Sequence, residues 1–203
     1  MSGLKGDRKL GRVLGLVQDS SQTIQTAGAR MNKVVTSLRD FSRLDEADVQ
    51  RVDLATGIES ALAMIPQKTK EGVRIDLQLG QGTIITCRPK ELNQVFLTLL
   101  TGSLEGLGGT GGLSVTLAEE SDRVVLEIAD DGDGIPPEDL AHLFDVGFET
   151  KEGRVGMGLE LLAAQNIVQR HRGTLTATSE LGRGTTFRLT LPAGAGLGKE
   201  PTS

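Results

Sequence analysis

The spacing of apolar residues first defines a long helix near the start of the chain. From Leu10 to Phe41, apolar or small residues recur at alternating intervals of three and four. This a/d pattern of a heptad repeat predicts a helix about 50 Å long, at 1.5 Å per residue. One helix cannot bury such a stripe, so the pattern predicts a homodimer through residues 10–41, or a helical bundle.

The pattern after residue 53 predicts alternating helices and strands. Helical spacing runs from Leu54 to Ile65 and stops at Pro66, and a second helix starts near Pro89 and passes Leu100. Two further helices are predicted at PPEDLAHLF and LELLAAQNIVQRH. Strands are predicted at Val73–Leu79, TIITCR, LSVTLAE, RVVLEIAD, TLTATSE and TTFRLTL. Most of these strands join as hairpins, which favours an α+β fold with one helical layer over one sheet.

These patterns divide the chain into four segments. Residues 1–42 form the heptad helix, and residues 43–53 are charged and aperiodic, which is typical of a linker. Residues 54–192 form the mixed domain. The glycine-rich residues 193–203 are expected to be a disordered tail.

Composition then restricts the class of protein. The 203 residues are 37% hydrophobic and 24% charged, which suits a soluble globular protein, and five Phe without Trp or Tyr imply an aliphatic core. A net charge of −5 argues against a nucleic-acid partner. Cys87 has no second cysteine for a disulfide, and no apolar run reaches membrane-spanning length. We therefore expect a cytoplasmic protein without a membrane segment.

Three glycine-bearing segments carry the candidate chemistry: IADDGDGI, ETKEGRVGMGLEL and LGRGTTF. The first places Asp130 at the end of a buried strand. The second places Gly156 and Gly158 before a helix, whose N-terminal N–H groups favour phosphate. Each also has an ordinary structural interpretation, as a solvated turn or a plain helix entry. His171, at a helix end, is typical of a capping or packing residue.

In this order, the segments resemble the ATP-binding catalytic domain of sensor histidine kinases, in the superfamily shared with gyrase, Hsp90 and MutL. IADDGDGI is similar to the first glycine box, HLFDVGFETK to the phenylalanine box, GMGLELLAAQNIVQRHRG to the second glycine box, and SELGRGTTFRLTLP to the closing hairpin. TAGARMNKVVTSLRDFSRLDEA resembles the second helix of the dimerisation and phosphotransfer hairpin. The resemblance implies a two-layer α/β sandwich of the Bergerat type, preceded by a coiled-coil-like helix.

The resemblance also implies an ATP or ADP site and roles for matching residues. Asp130 would accept a hydrogen bond from the adenine amino group, with Thr185 nearby. Gly132 and Gly134 would let the backbone pass the base. The remaining matches belong to the ATP lid: Phe144, Phe148 and Thr150 on its near side, Lys151 close to the phosphates, and Gly156 and Gly158 as hinge and N–H donors.

The asparagine box departs from the family pattern. Aligning Gln94 and Val95 places Thr98 and Gly102 where the two asparagines normally stand. The second asparagine normally binds Mg²⁺, and glycine has no side chain to do so. Mg²⁺ is therefore expected for the family but doubtful here. Glu105, one turn on, is either a substitute ligand or a surface charge.

Two further departures concern Glu160 and the missing phosphoacceptor. Glu160 stands where the second glycine box usually has glycine, and it either repels phosphate or points outward in the first helical turn. No histidine precedes His142, so the heptad helix carries no phosphoacceptor. Either the chain is a fragment lacking the histidine-bearing helix, or the protein never had one.

Two functions of different class follow. The first is the catalytic region of a sensor histidine kinase in a two-component phosphorelay. It would transfer the γ-phosphoryl group of ATP to a histidine absent from this chain, with impaired activity. The alternative is a pseudokinase, a dimeric interaction module with weak or no nucleotide binding. The expected partners are a response regulator or a histidine-bearing helix.

Overall fold

The computed structural model describes residues 49–80, 82–145 and 158–193. The predicted heptad helix, most of the predicted linker and the tail beyond residue 193 lie outside the described residues. So do four of the predicted lid residues, Phe148, Thr150, Lys151 and Gly156.

Twelve elements make up the described part of the chain. In chain order they are β1 (Gln50–Asp53), α1 (Leu54–Met64), α2 (Gln67–Lys70), β2 (Val73–Leu79), β3 (Ile84–Cys87), α3 (Pro89–Gly106), β4 (Gly111–Glu120), β5 (Arg123–Asp130), α4 (Pro137–Leu140), α5 (Gly158–Arg170), β6 (Thr174–Glu180) and β7 (Gly184–Pro192). None of the helices among these described residues is long and apolar enough to cross a membrane.

Five strands form the main sheet, in the order β2-β4-β5-β7-β6. The two predicted hairpins are present: β4 pairs antiparallel with β5, and β6 with β7. β2 and β4 pair in parallel, and the crossover between them contains α3. β5 therefore lies in the middle of the sheet, and its end is surrounded by neighbouring elements.

The helices supply the second layer of the predicted sandwich. α3 contacts α1, α5, β5 and β7, so it is the central helix of the layer. Apart from Phe96 and the polar residues Glu91 and Ser103, its buried stripe is aliphatic, and it packs on inward-facing strand residues such as Val115 and Ile128. On the opposite sheet face, Arg188 pairs with Glu127 and Glu120. The predicted α+β two-layer fold with an aliphatic core is confirmed.

The predicted linker is wrong at its end, where Gln50–Asp53 forms strand β1. This strand pairs antiparallel with β3 in a separate two-stranded sheet. Asp53 also caps α1, since its Oδ1 accepts hydrogen bonds from the Ala55 N–H (3.1 Å) and the Thr83 hydroxyl (3.2 Å). This strand was not predicted because its side chains are mainly polar. A strand in a small two-stranded sheet can pair without the alternation of apolar and polar residues that is typical of strands in a core sheet.

A buried polar cluster joins the start of α3 to the end of α5. His171 is 1% exposed; its Nε2 accepts from the Arg88 N–H (3.1 Å), so its Nδ1 carries the proton and donates to the Ile167 carbonyl (2.8 Å). The carboxylate of Glu91, also buried, lies 3.5 Å from the Arg170 guanidinium and 3.8 Å from His171. The predicted capping or packing role of His171 is thus confirmed.

We predict that His171→Ala lowers the free energy of unfolding by about 2–4 kcal/mol. The substitution leaves a cavity and a buried Arg88 N–H without its acceptor. Urea unfolding followed by circular dichroism measures the change. His142→Ala is the matched control, because His142 is exposed and pairs with exposed Asp145, an interaction worth at most about 1 kcal/mol.

The same variant tests the protonation state of His171. Burial lowers the pKa of His171 from its ordinary value of 6.5. The unfolded chain therefore binds this proton before the folded protein does, and wild-type stability falls as the pH drops below 6.5. His171→Ala should flatten this fall. An equally steep fall in the variant would contradict the assigned neutral state.

Candidate functional site

Asp130 ends the central strand β5, and its carboxylate is held by two backbone N–H groups, one in the following turn and one near the start of β7. Its Oδ1 accepts hydrogen bonds from the Gly132 N–H (3.2 Å) and from the Thr185 N–H (3.1 Å). Burial raises the pKa of Asp130, and the neighbouring charge of Asp131 raises it further. The two backbone donors and the Ser103 hydroxyl act in the opposite direction, although burial outweighs them. The result is a half-buried carboxylate whose backbone donors both bind one oxygen.

Close backbone contacts require glycine in the turn after β5. Gly134 has a φ of +73°, and a Cβ there would lie 2.2 Å from the Glu180 carbonyl oxygen. A Cβ on Gly132 would lie 2.8 Å from the carbonyl oxygen of Gly106, at the end of α3. The turn is therefore packed between the last turn of α3 and the β6–β7 hairpin.

Ser179 connects these turns through its hydroxyl. Its Oγ accepts from the Ile135 N–H (2.7 Å) and lies 2.9 Å from both the Gly184 carbonyl oxygen and Thr185 Oγ1. The Gly184 carbonyl can only accept, so it takes the single proton of Ser179. Thr185, 6% exposed, then donates its own hydroxyl proton to Ser179. Ser179 thus fixes the orientation of Thr185 beside Asp130.

The predicted base-side residues come together as expected. Asp130, Gly132, Gly134 and Thr185 lie at one end of the sheet, next to the C-terminal half of α3. Thr98 and Gly102, both half-buried, lie on that half of α3, and Glu105 one turn on is exposed.

The lid side is described only in part. Phe144 is half-buried and packs against the core. Gly158 is the first residue of α5, and Glu160 lies half-buried in the first turn of that helix. This position is compatible with both interpretations of Glu160. It either repels phosphate or is an ordinary acidic residue in the first turn of the helix, and both stay predictions.

Two serines of the site carry no role in the sequence prediction. Ser103 follows Leu92, Phe96 and Leu99 at helical spacing, and Ser179 follows Leu175 and Ala177 at strand spacing. Each is therefore a polar residue at a position whose neighbours face the core. A polar residue at a position that the periodicity assigns to the core is the sequence signal that could have identified them.

The described residues lack the side-chain oxygen that the family pattern supplies to magnesium at position 102. Gly102 offers no side-chain oxygen, and within residues 49–80, 82–145 and 158–193 no three His, Cys, Asp or Glu side chains are grouped to hold a metal. Mg²⁺ requires near-octahedral oxygen coordination, so water or a neighbouring group such as Glu105 would have to replace the missing ligand.

Comparison with known families identifies the fold. A family model described as "Histidine kinase-, DNA gyrase B-, and HSP90-like ATPase" matches residues 87–195, more than half of the chain. The chain belongs to this ATPase family. Sensor histidine kinase ZraS of Escherichia coli K12 is 32% identical over 181 residues, which are 88% of this chain and 38% of ZraS. The chain therefore spans well under half the length of this curated relative.

Solved structures agree on the fold. The nucleotide-free catalytic domain of histidine kinase ThkA superposes with a TM-score of 0.65 at 20% identity, covering 72% of this chain and 97% of that domain. Full-length ShkA, solved in complex with AMPPNP, gives a TM-score of 0.66 at 23% identity, covering 84% of this chain and 38% of ShkA. The described unit thus has the fold of a histidine kinase catalytic domain.

We predict that Gly134→Ala destabilises the domain more than Gly182→Ala does. Both glycines have the same left-handed φ, +73° and +74°, so both variants lose about 1–2 kcal/mol to backbone strain. A Cβ on Gly182 meets nothing within 4 Å, whereas one on Gly134 meets the Glu180 carbonyl at 2.2 Å. That clash should lower the stability of Gly134→Ala by about a further 1–3 kcal/mol, the cost of overpacking. Urea unfolding measures both variants, and equal losses would contradict the close packing of this turn.

Proposed function

We propose that this domain is the ATP-binding catalytic region of a sensor histidine kinase, with impaired metal-dependent phosphoryl transfer. The observation that carries the proposal is the Asp130 carboxylate, held at the end of β5 by the N–H groups of Gly132 and Thr185. A hydrogen-bond acceptor held in a fixed position at the end of the central strand suits the exocyclic amino group of adenine. The AMPPNP-bound state of its structural neighbour ShkA supports nucleotide as the ligand class.

The residues of the cleft have separate tasks in this proposal. Asp130 accepts from the adenine amino group, and Thr185, oriented by Ser179, lies beside it. Gly132 and Gly134 let the backbone approach the base without side chains. Gly158 begins α5, so the N–H groups of its first turn are available to phosphate oxygens, together with Lys151 and Gly156 from the predicted lid.

The phosphoryl acceptor in this proposal is a histidine outside this chain. Transfer moves the γ-phosphoryl group from ADP oxygen to an imidazole nitrogen, and its rate depends on positioning and charge neutralisation. The metal ordinarily supplies part of that neutralisation, and Gly102 removes one ligand for it. A loss of about 10²–10³ in rate follows by analogy with removing one preorganised polar group.

The wider assembly is also a proposal. We infer that residues 10–41 form a homodimer and that a response regulator or histidine-bearing helix is the partner, in the cytoplasm, where ATP is available. The similarity to sensor histidine kinase ZraS, 32% identical, supports a place in sensor-kinase signalling. A second candidate function is a dimeric pseudokinase, and the specific feature that favours it is Gly102 in place of the metal-binding asparagine.

We predict that ATP and ADP bind weakly and with nearly the same affinity with and without Mg²⁺. Isothermal titration calorimetry on the full chain measures both affinities. A strong gain in affinity on adding Mg²⁺ would contradict the proposed defect. Absence of binding under both conditions would leave the pseudokinase function.

The double variant Gly102→Asn with Glu160→Gly should introduce Mg²⁺ dependence. Its matched control is Gly102→Ala with Glu160→Gly, which stabilises α3 by about 1 kcal/mol without supplying a ligand oxygen. Metal dependence in the asparagine variant but not in the alanine variant assigns the defect to the missing ligand. The same result in both variants would mean that Gly102 does not occupy the asparagine position.

We predict that Asp130→Asn lowers ATP affinity at least about tenfold without lowering stability. The amide oxygen can still accept both backbone N–H groups, but the amide nitrogen would oppose the adenine amino donor. Burial raises the pKa of Asp130, so its charge is unfavourable in the folded protein at neutral pH, and removing it should maintain or raise the melting temperature. Calorimetric titration and thermal unfolding measure the two effects.

Asp122→Asn is the control for this substitution. Asp122 is exposed at the opposite end of β5, so the variant makes the same charge change far from the cleft. An equal loss of ATP affinity in both variants would mean that net charge, rather than contact with Asp130, controls binding.

A further inference from the structure

Ser179 lies where two backbone segments of the site meet. It is half-buried on β6, and its Oγ is within hydrogen-bond distance of three groups: the Ile135 N–H (2.7 Å), the Gly184 carbonyl oxygen (2.9 Å) and Thr185 Oγ1 (2.9 Å). Ile135 follows the glycine turn after β5, whereas Gly184 and Thr185 begin β7. A serine hydroxyl has one proton and two lone pairs, so these three contacts use its full hydrogen-bonding capacity.

The chemistry of the partners determines the direction of each proton in this network. The Gly184 carbonyl can only accept and the Ile135 N–H can only donate, so Ser179 gives its proton to the first and a lone pair to the second. The second lone pair of Ser179 then accepts the hydroxyl proton of Thr185. Because a threonine hydroxyl has one proton, Thr185 can only accept a hydrogen bond from any further group.

The same network supports the two segments that hold the Asp130 carboxylate. The backbone N–H of Thr185 donates to Asp130 Oδ1 (3.1 Å), while its side chain is bonded to Ser179. The other donor, the Gly132 N–H, belongs to the turn that ends at Ile135, which is also bonded to Ser179. Removing the hydroxyl of Ser179 would leave Thr185 without its acceptor and free its proton to turn elsewhere.

We propose that Ser179 is a positioning residue for nucleotide binding, which acts through the Thr185 hydroxyl and not through contact with the ligand. It holds that hydroxyl as a group that only accepts hydrogen bonds, before the ligand arrives. A hydroxyl that is free to rotate would have to be ordered when the ligand binds, and this ordering lowers affinity. The inference rests on the proposed nucleotide-binding function.

A double-mutant cycle on the full chain tests this route by calorimetric titration with ATP. Ser179→Ala should weaken ATP binding about 3- to 10-fold, as expected for the loss of one neutral hydrogen bond. In a Thr185→Val background, which has no hydroxyl to orient, the same substitution should change the affinity by less than about twofold. An equal loss in both backgrounds overturns the inference, because a merely structural role of Ser179 would give that result.

Thr178→Ala is the matched control for the loss of a hydroxyl from β6. Thr178 is exposed and adjacent to Ser179, so its side chain points to the opposite face of the sheet. This variant should leave the ATP affinity unchanged, and a loss equal to that of Ser179→Ala would contradict the inference. If Ser179→Ala does not fold, Ser179→Cys retains the approximate size of the side chain with weaker hydrogen bonds. It should then show the same pattern in the cycle to a smaller extent.

A second measurement needs no nucleotide. The deuterium isotope shift of the Thr185 Cβ in mixtures of H₂O and D₂O reports by NMR how fast its hydroxyl proton exchanges with solvent. Exchange should be slow in the wild type, where this buried proton is bonded to Ser179, and several times faster in Ser179→Ala. An unchanged exchange rate overturns the inference.

The outcomes separate the inference from the function on which it rests. If the wild type binds ATP but the two backgrounds show equal losses, the inference alone fails. If the wild type does not bind ATP, the proposed function fails, and the role of Ser179 in nucleotide binding fails with it. The exchange rate then still decides whether Ser179 holds the Thr185 hydroxyl.

Discussion

The clamp on the Asp130 carboxylate is the interaction on which the site depends. Its two N–H donors come from different parts of the chain, one from the turn after β5 and one from β7. Their separation is determined by the antiparallel pairing of these strands, in which Ala129 lies opposite Thr186. A shift of that register would move Thr185, and the Asp130 carboxylate would lose one of its two N–H donors. The strand register therefore determines both the pairing of the sheet and the geometry of the site.

The clamp also explains how a carboxylate persists in a partly buried position. Burial disfavours its charge, and the backbone donors and the Ser103 hydroxyl recover part of that cost. Ser179 supports the arrangement, because its hydroxyl oxygen accepts hydrogen bonds from the Ile135 N–H and from the hydroxyl of Thr185. The polar groups of the site thus stabilise one another and hold the Asp130 carboxylate in one orientation.

Helix α3 shows why the fold is kept where the metal chemistry is in doubt. One side of the helix carries the core stripe, including Leu92 and Leu99, and the other carries Thr98 and Gly102. The helix runs unbroken from Pro89 to Gly106, so the core contacts offset the poor helix propensity of its glycines. Packing and catalysis make separate demands on this helix. A change in the residues that serve catalysis therefore need not disturb the packing of the core.

Periodicity alone predicted α1, α3 and the hairpin strands, because the spacing of apolar residues records which face of an element is buried. It also placed Asp130 and Gly134 at the end of β5, and the family resemblance assigned them a ligand. Strand β1 was not predicted because three of its four residues are polar, so its sequence shows no apolar alternation although its backbone pairs with β3. The role of Ser179 was decided by tertiary structure. Sequence phase shows that a polar side chain is buried, but its hydrogen-bonding partner comes from a distant part of the chain and is determined only when the layers pack.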